Sequence, residues 1–242
     1  MRERFRVGDV LTVSCAFTEV EVAQITRSGA SLVWPWWRQD PDVDWMVWNG
    51  GVVIATDPEA WDYPLEIWRF QPSAADLREG SRCSVGIPAT TVHVIGVEHF
   101  DPPRETGLLP RPRTELALLR AGYSEDPIAE EQGFSLNPDD EIPYEITLSY
   151  RPYAFLEAGD ELSDADRRAW RFDDPWHWEP FDGGLGTGPR WPLTLLTRDG
   201  SENPSAAASV AAATATGSCE DDIARWREVT GAEPLLSALP GR

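Results

Sequence analysis

The chain contains no lysine. All 21 of its positive charges are arginine, set against 41 acidic residues, for a net charge of -20 and a pI near 4.4. Without lysine there can be no Walker A loop, because that motif needs the lysine that reaches the terminal phosphates. "GGLGTGP" (183–189) is therefore read as a flexible hairpin loop, the more so because its proline precedes a strand and not a helix that could hold an anion. A strongly negative field with no basic stripe excludes ordinary nucleic-acid binding, and the same field would speed encounter with a basic protein partner.

Cysteine is almost as scarce. Cys15, Cys83 and Cys219 are odd in number and widely spaced, which fits neither a disulfide framework nor a paired C-x-x-C metal site. No apolar run reaches the roughly 18 to 20 residues that span a bilayer, and "MRERFRVGDV" has charge without the apolar stretch of a secretory signal. A cytoplasmic protein without membrane association is expected, of unspecified oligomeric state. The abundance of Ala, Gly, Pro and Asp beside the missing lysine suggests the coding bias of a GC-rich bacterial genome.

Histidine supplies only His93, His99 and His177. The first two are six apart on an expected strand, so they should share one face about 20 Å apart at roughly 3.3 Å per residue, too far for one metal. "DPDVD" (40–44) has the carboxylate spacing that opens an EF-hand loop. Trp45 then stands where that loop needs glycine, and Gly51 where it needs a bidentate glutamate. Neither a metal nor a cofactor is expected. No H-E-x-x-H or G-x-S-x-G occurs, and 41 carboxylates make an accidental acidic pair uninformative, so no catalytic residue is assigned.

What the chain has in quantity is tryptophan. Twelve occur in 242 residues, and eleven of them fall in two regions that resemble each other. "WRQDPDVDWMVWNGG" (37–51) matches "WRFDDPWHWEPFDGG" (170–184) at an offset of 133 residues, and shorter matches flank it in the same order: "LTVS" with "ITLS", "YPLEI" with "WPLTL", "PSAA" with "PSAA". A degenerate internal duplication follows from that collinearity.

Within the first copy, "DVLTVSCAF" and "EVEVAQIT" alternate as half-buried strands and "ASLVWPWW" continues as a third. Asn49-Gly50-Gly51 reads as a hairpin turn between "WMVW" and "VVIAT". Ser73 caps a short helix "AADLRE" that stops at Gly80, and Ser205 caps an alanine-rich helix or linker that stops at Gly217. "TTVHVIGVEHF" is a strand. "RTELALLRAG" is read as a helix with Leu116, Leu118 and Leu119 on one face, and "CEDDIARWREVTG" as a helix capped by Ser218 and ended by Gly231.

The expected fold is β-rich α+β, with two related antiparallel β-meander units and a few short helices. Residues 1–100 form the first unit and 101–142 a Pro- and acid-rich connector with one helix. Residues 143–200 form the second unit, and 201–242 the alanine-rich segment and C-terminal helix. Burial of a tryptophan removes about 150 to 250 Å² from water, roughly 4 to 6 kcal/mol gross, so core filling alone could explain many of the indoles. Others alternate with carboxylates beside a turn. Trp37, Asp40, Asp42, Asp44, Trp45 and Trp48 in the first copy, and Trp176, His177 and Trp178 in the second, are the candidate binding residues. Flat rings with acceptors between them suit sugars, cations or an arginine-bearing protein. The expected role is an acidic protein-binding module of the immunity, inhibitor or adaptor kind. A small-ligand or carbohydrate-binding module is the alternative, and a carboxylate-dependent hydrolase the third.

Overall fold

The computed structural model describes residues 4–26, 29–55, 67–72, 76–128, 132–184 and 188–235. With 42% of residues in strands against 11% in helix, the β-rich expectation holds, and every sheet is antiparallel. The chain forms two compact units: unit 1 from Met1–Val10, Ala121–Ile128 and Ser149–Arg242, and unit 2 from Leu11–Arg120 and Ala129–Leu148.

Unit 2 is built on two long strands, β1 (Val10–Ile25) and β6 (Arg82–His99). β1 absorbs both strands expected from its sequence, with Val13, Cys15, Val20 and Val22 buried. β2 (Gly29–Val33) pairs with its end, Val22 opposite Leu32 and Ile25 opposite Ala30. β4 (Gly51–Ala55) pairs with β2, Leu32 opposite Val52 and Ala30 opposite Ile54. β5 (Arg69–Gln71) pairs with the start of β6, β8 (Thr114–Arg120) with its end, and β9 (Phe134–Leu136) with β8. β10 (Tyr144–Tyr150) pairs with β1. β3 (Arg38–Gln39) and β7 (Leu108–Leu109) form a separate two-stranded ladder.

Several local expectations are corrected here. Residues 114–120 form a strand and not a helix: Leu116 lies opposite Val97 and Leu118 opposite Val94, and the fully buried Leu116 and Leu118 follow a period of two. Pairing with β6 overrides the helix propensity of Ala, Leu and Arg. Asn49-Gly50-Gly51 does make a turn, with Gly50 at φ +80 and Asn49 Oδ1 accepting from the Gly51 amide at 3.0 Å. It is no hairpin, because residues 45–48 form no strand and β4 joins β2 instead. His93 and His99 do not share an environment. A register shift between Val94 and Gly96 breaks the alternation, leaving His93 buried and His99 exposed. Ser73 lies outside the described residues, and no α-helix covers 76–79.

Unit 1 holds a four-stranded sheet in the order β13 (His177–Pro180), β12 (Ala169–Asp174), β11 (Asp160–Ser163), β14 (Thr194–Thr197). Its register separates two faces. Leu162 sits between Trp170 and Leu195, and Phe172 faces Trp178, all buried; Glu161, Arg171 and Glu179 make a charged row. Helix α1 (Pro204–Ala213) packs Ala206 and Val210 into the same core. Its cap is Asn203, whose Oδ1 accepts from the Ala206 amide at 3.0 Å, with Pro204 at the first helical position, and it ends at Thr214. Ser205 and Gly217 were the expected limits. Helix α2 (Cys219–Thr230) is capped by Ser218 and closed by Gly231 as its sequence foretells. Its Trp226 joins Val10 and Trp176 in a second cluster.

The two matched windows take different conformations. Residues 170–184 form the β12–β13 hairpin, whereas 37–51 contain only the two-residue β3 and the first residue of β4, with turns and irregular backbone between. The internal duplication is not shown by the strand order.

Candidate functional site

The sequence "WPWWRQ" leaves β2 at Val33 and enters β3 at Arg38, and it anchors the aromatic site. Trp34 is pinned by its amide, which donates to Gly50 O at 2.7 Å, and Pro35 holds the preceding residue extended. The Trp34 ring lies edge-on to Trp36 at 4.7 Å and to Trp68 at 5.1 Å, and is tilted against Trp37 at 5.6 Å. Trp68 comes from the approach to β5 and stacks on Trp36 at 6.3 Å, with Tyr144 of β10 beyond it at 6.1 Å. Five aromatic side chains from three separated segments thus form one cluster.

A cavity of about 380 Å³ opens beside this cluster within unit 2. Trp34, Trp37, Trp68 and Tyr144 supply rings, Ile54, Leu108 and Pro110 supply apolar wall, and Asp140, Asn137 and Glu115 supply polar groups. Asp140 stands in a turn whose amide donates to Asn137 O at 3.2 Å. The ion pair of Arg38 with Glu141 at 2.6 Å ties that turn to β3. One oxygen of Asp140, Oδ2, accepts from Trp37 Nε1 at 2.8 Å. The other, Oδ1, is buried and has no partner among the described residues.

Trp34 shows the complementary defect. It is 4% exposed, and its Nε1 donor is buried without a partner among the described residues. An indole nitrogen can only donate, and a buried donor left unpaired costs about 1 to 3 kcal/mol. One open donor and one open acceptor therefore belong to residues that line the same cavity. Burial raises the Asp140 carboxyl above the ordinary carboxylate range in spite of the hydrogen bonds it takes from Trp37 and from the Ile142 and Glu141 amides, and the neighbouring Glu141 charge adds to the rise. Burial, with the Asp140 charge adding to it, likewise raises the Tyr144 phenol.

Of the residues expected from sequence to bind, Trp37 lines this cavity. Asp40 is engaged elsewhere: it is buried, accepts from the Asp42 amide at 3.0 Å, and receives Arg111 Nε at 2.5 Å. The Arg111 hydrogen bond holds its carboxyl below the ordinary range. Asp42 takes the other end of that guanidinium at 3.3 Å, so this pair braces a loop. Asp44 is exposed, and Trp45 is 72% exposed. Trp48 donates to Gly51 O at 3.0 Å and so buttresses the turn.

The second-copy residues are placed differently from the expected surface. Trp178 is buried among Tyr153, Phe172 and Leu162, and Trp176 is buried against Trp226 at 4.9 Å. Neither presents a face to a ligand. His177 is half-exposed, its Nε2 3.6 Å from Asp173. Trp34, Trp68, Asp140 and Tyr144 were not foreseen, because they are brought together only by the tertiary fold; the one local signal was the adjacency of Trp34, Trp36 and Trp37.

Among the described residues no cluster of three or more His, Cys, Asp or Glu side chains is arranged to hold a metal ion, and no helix is long and apolar enough to cross a membrane. Comparison with family models, with curated proteins and with solved structures gives no match.

Proposed function

We propose that this protein is a small-ligand-binding module and that the tryptophan-lined cavity of unit 2 is its site. The observation that carries the proposal is the pair of open groups, Trp34 Nε1–H and Asp140 Oδ1, on residues that line one aromatic cavity. A fold that leaves both unpaired is less stable than one that satisfies them, and a ligand bearing the matching donor and acceptor recovers that loss. The volume lies in the range of small-molecule sites, and apolar walls with a few convergent polar groups are their usual composition.

Catalysis by paired carboxylates is less well supported. The other carboxylate among the described lining residues, Glu115, is engaged by Arg104 at 2.9 Å, and Glu141 beside Asp140 is engaged by Arg38 at 2.6 Å, so neither is free to work with Asp140 as an acid–base pair. The reading is tested by a screen of small cations, sugars and planar heterocycles, followed by intrinsic fluorescence and thermal shift on the full chain. Saturable binding lost in Trp37→Ala supports it. A screen with no binder, or binding that survives both Trp37→Ala and Trp68→Ala, overturns it.

A protein-binding surface remains the second reading, favoured by a different feature. Trp45 at 72% and Val47 at 91% exposure project beside Asp44 on a chain of charge -20. Association there with a basic protein would weaken as salt rises, whereas stacking inside the cavity would persist. Three free, buried cysteines support the cytoplasm as the compartment for either role.

A further inference from the structure

We infer that the ligand of the unit 2 cavity is a small organic cation carrying N–H donors and a carbonyl or hydroxyl oxygen. Its charged head is held at Asp140 Oδ1 among the rings of Trp37, Trp68 and Tyr144, and its oxygen accepts from Trp34 Nε1. The inference rests on the cavity being a ligand site and goes on to name the ligand's chemical class.

Three features of the wall select this class. The first is charge. The described residues lining the cavity include two carboxylates, Asp140 and Glu115, and neither arginine nor histidine; Glu115 already holds Arg104 at 2.9 Å, whereas Asp140 is in no ion pair among the described residues. An anion would meet Asp140 with no cation among the described lining residues to offset the repulsion. The second is the valence of the open groups. Asp140 Oδ1 can accept, so the ligand must donate to it; Trp34 Nε1 can only donate, so the ligand must also accept. A hydrocarbon would leave both unsatisfied, and a quaternary ammonium would leave Asp140 without a hydrogen bond.

The third feature is the set of rings. Indole and phenol faces attract a cation through their quadrupole, most strongly where water is excluded. Trp37 is fixed for this by the bond from its Nε1 to Asp140 Oδ2 at 2.8 Å, so ring and carboxylate form one rigid corner. A neutral sugar could pair with both open groups, but it would leave the half-buried carboxylate charge uncompensated. Burial already disfavours that charged form, and a bound cation restores it through a charge-assisted hydrogen bond.

The test compares two probe series on the full chain by isothermal titration calorimetry: short ω-guanidino carboxamides, and the ω-ureido carboxamides that match them in shape but carry no charge. The guanidino series should bind at least about tenfold more tightly, and Asp140→Asn should abolish that preference. Ureido binding as tight as guanidino binding, or a preference that survives Asp140→Asn, overturns the cationic class and leaves the cavity intact as a ligand site. Silence from both series, from the sugars and from the planar heterocycles alike removes the cavity reading as well. If Asp140→Asn fails to fold, the guanidino-to-ureido comparison on the unaltered protein decides the question alone. Trp34→Phe removes the indole donor while keeping an aromatic ring; it should weaken the guanidino carboxamides more than simple alkylguanidines, and equal weakening would refute the place of Trp34 in the site.

Discussion

Removing one partner from the ion pair of Asp160 with Arg198 should unfold unit 1 at a markedly lower temperature. Asp160 is fully buried in β11, and the Arg198 side chain is 9% exposed. The fork is bidentate: Nε to Oδ1 at 2.8 Å and Nη2 to Oδ2 at 2.6 Å. Asp160 Oδ2 also accepts from the Glu157 amide at 2.9 Å. In Asp160→Ala, Arg198 keeps Glu157 Oε1 at 3.1 Å and Phe155 O at 3.1 Å but loses its principal counter-charge. Breaking a buried pair costs about 3 to 5 kcal/mol, and the remaining Glu157 contact sets the expectation near the lower end, about 3 kcal/mol. At about 2 to 4 °C per kcal/mol for a chain of this size, the melting temperature should fall by about 6 to 12 °C. Circular dichroism gives the shift, and hydrogen exchange in β11 and β12 shows whether unit 1 is what has loosened. The double variant Asp160→Leu with Arg198→Met should recover much of the loss, because it removes both charges. A single variant that melts within about 1 °C of the parent, or a double variant no better than the single, would refute the reasoning.

Other expectations are more local. Burial holds the His93 imidazole at a pKa of about 4, against 6.5 when unfolded. The unfolded chain therefore takes up the proton first, so His93 costs nothing above about pH 6.5 and removes up to about 3 kcal/mol of stability as pH falls to 4. His93→Leu should flatten the urea-midpoint profile in that window, and an unchanged slope would show that burial of this ring does not set it. Gly8→Ala should lose about 1 to 3 kcal/mol, since Gly8 has φ +84 and a Cβ there would lie 2.9 Å from Pro175 Cγ; a variant as stable as the parent in a thermal melt would contradict this. Trp45→Ala should change stability by less than about 0.5 kcal/mol and leave cavity binding untouched, and a large drop in melting temperature would place that ring in a core after all.

The β-rich class and the last helix were legible because each is written locally. Alternation marks β1, the strand read at "TTVHVIGVEHF" falls on β6, and α2 carries its own cap and stop. What was not legible depends on partners distant in the chain. Leu116, Leu118 and Leu119 fit a helical face and a strand equally well at short range, and only β6 decides between them. Asn49-Gly50-Gly51 announced a turn correctly but could not say that β2, across seventeen intervening residues, would be its strand partner. The site shows the same division. Trp37 was found because it stands in a tryptophan-rich string, whereas Asp140 lies 103 residues away in what reads as an acidic connector. Asp40, in the same string as Trp37, braces Arg111, which lies 71 residues further along and leaves no trace in the local sequence.

The tryptophans themselves divide by what their indole nitrogens touch. Trp170 Nε1 donates to Asp164 at 3.0 Å, Trp226 Nε1 to Gly8 O at 2.9 Å, and Trp48 Nε1 to Gly51 O at 3.0 Å, so each ring fills space while its one polar atom is used to fasten the chain. Trp191 Nε1, by contrast, is buried with no hydrogen-bond partner among the described residues. Trp34 Nε1 is likewise unpaired among the described residues, and Trp34 lines the unit 2 cavity. If core filling were the whole reason for its presence, phenylalanine or leucine would do the same work without a stranded donor. On the proposed reading, the indole at position 34 gains its hydrogen bond from what enters the cavity, and the unpaired oxygen of Asp140 on the same lining sets the chemistry of what enters.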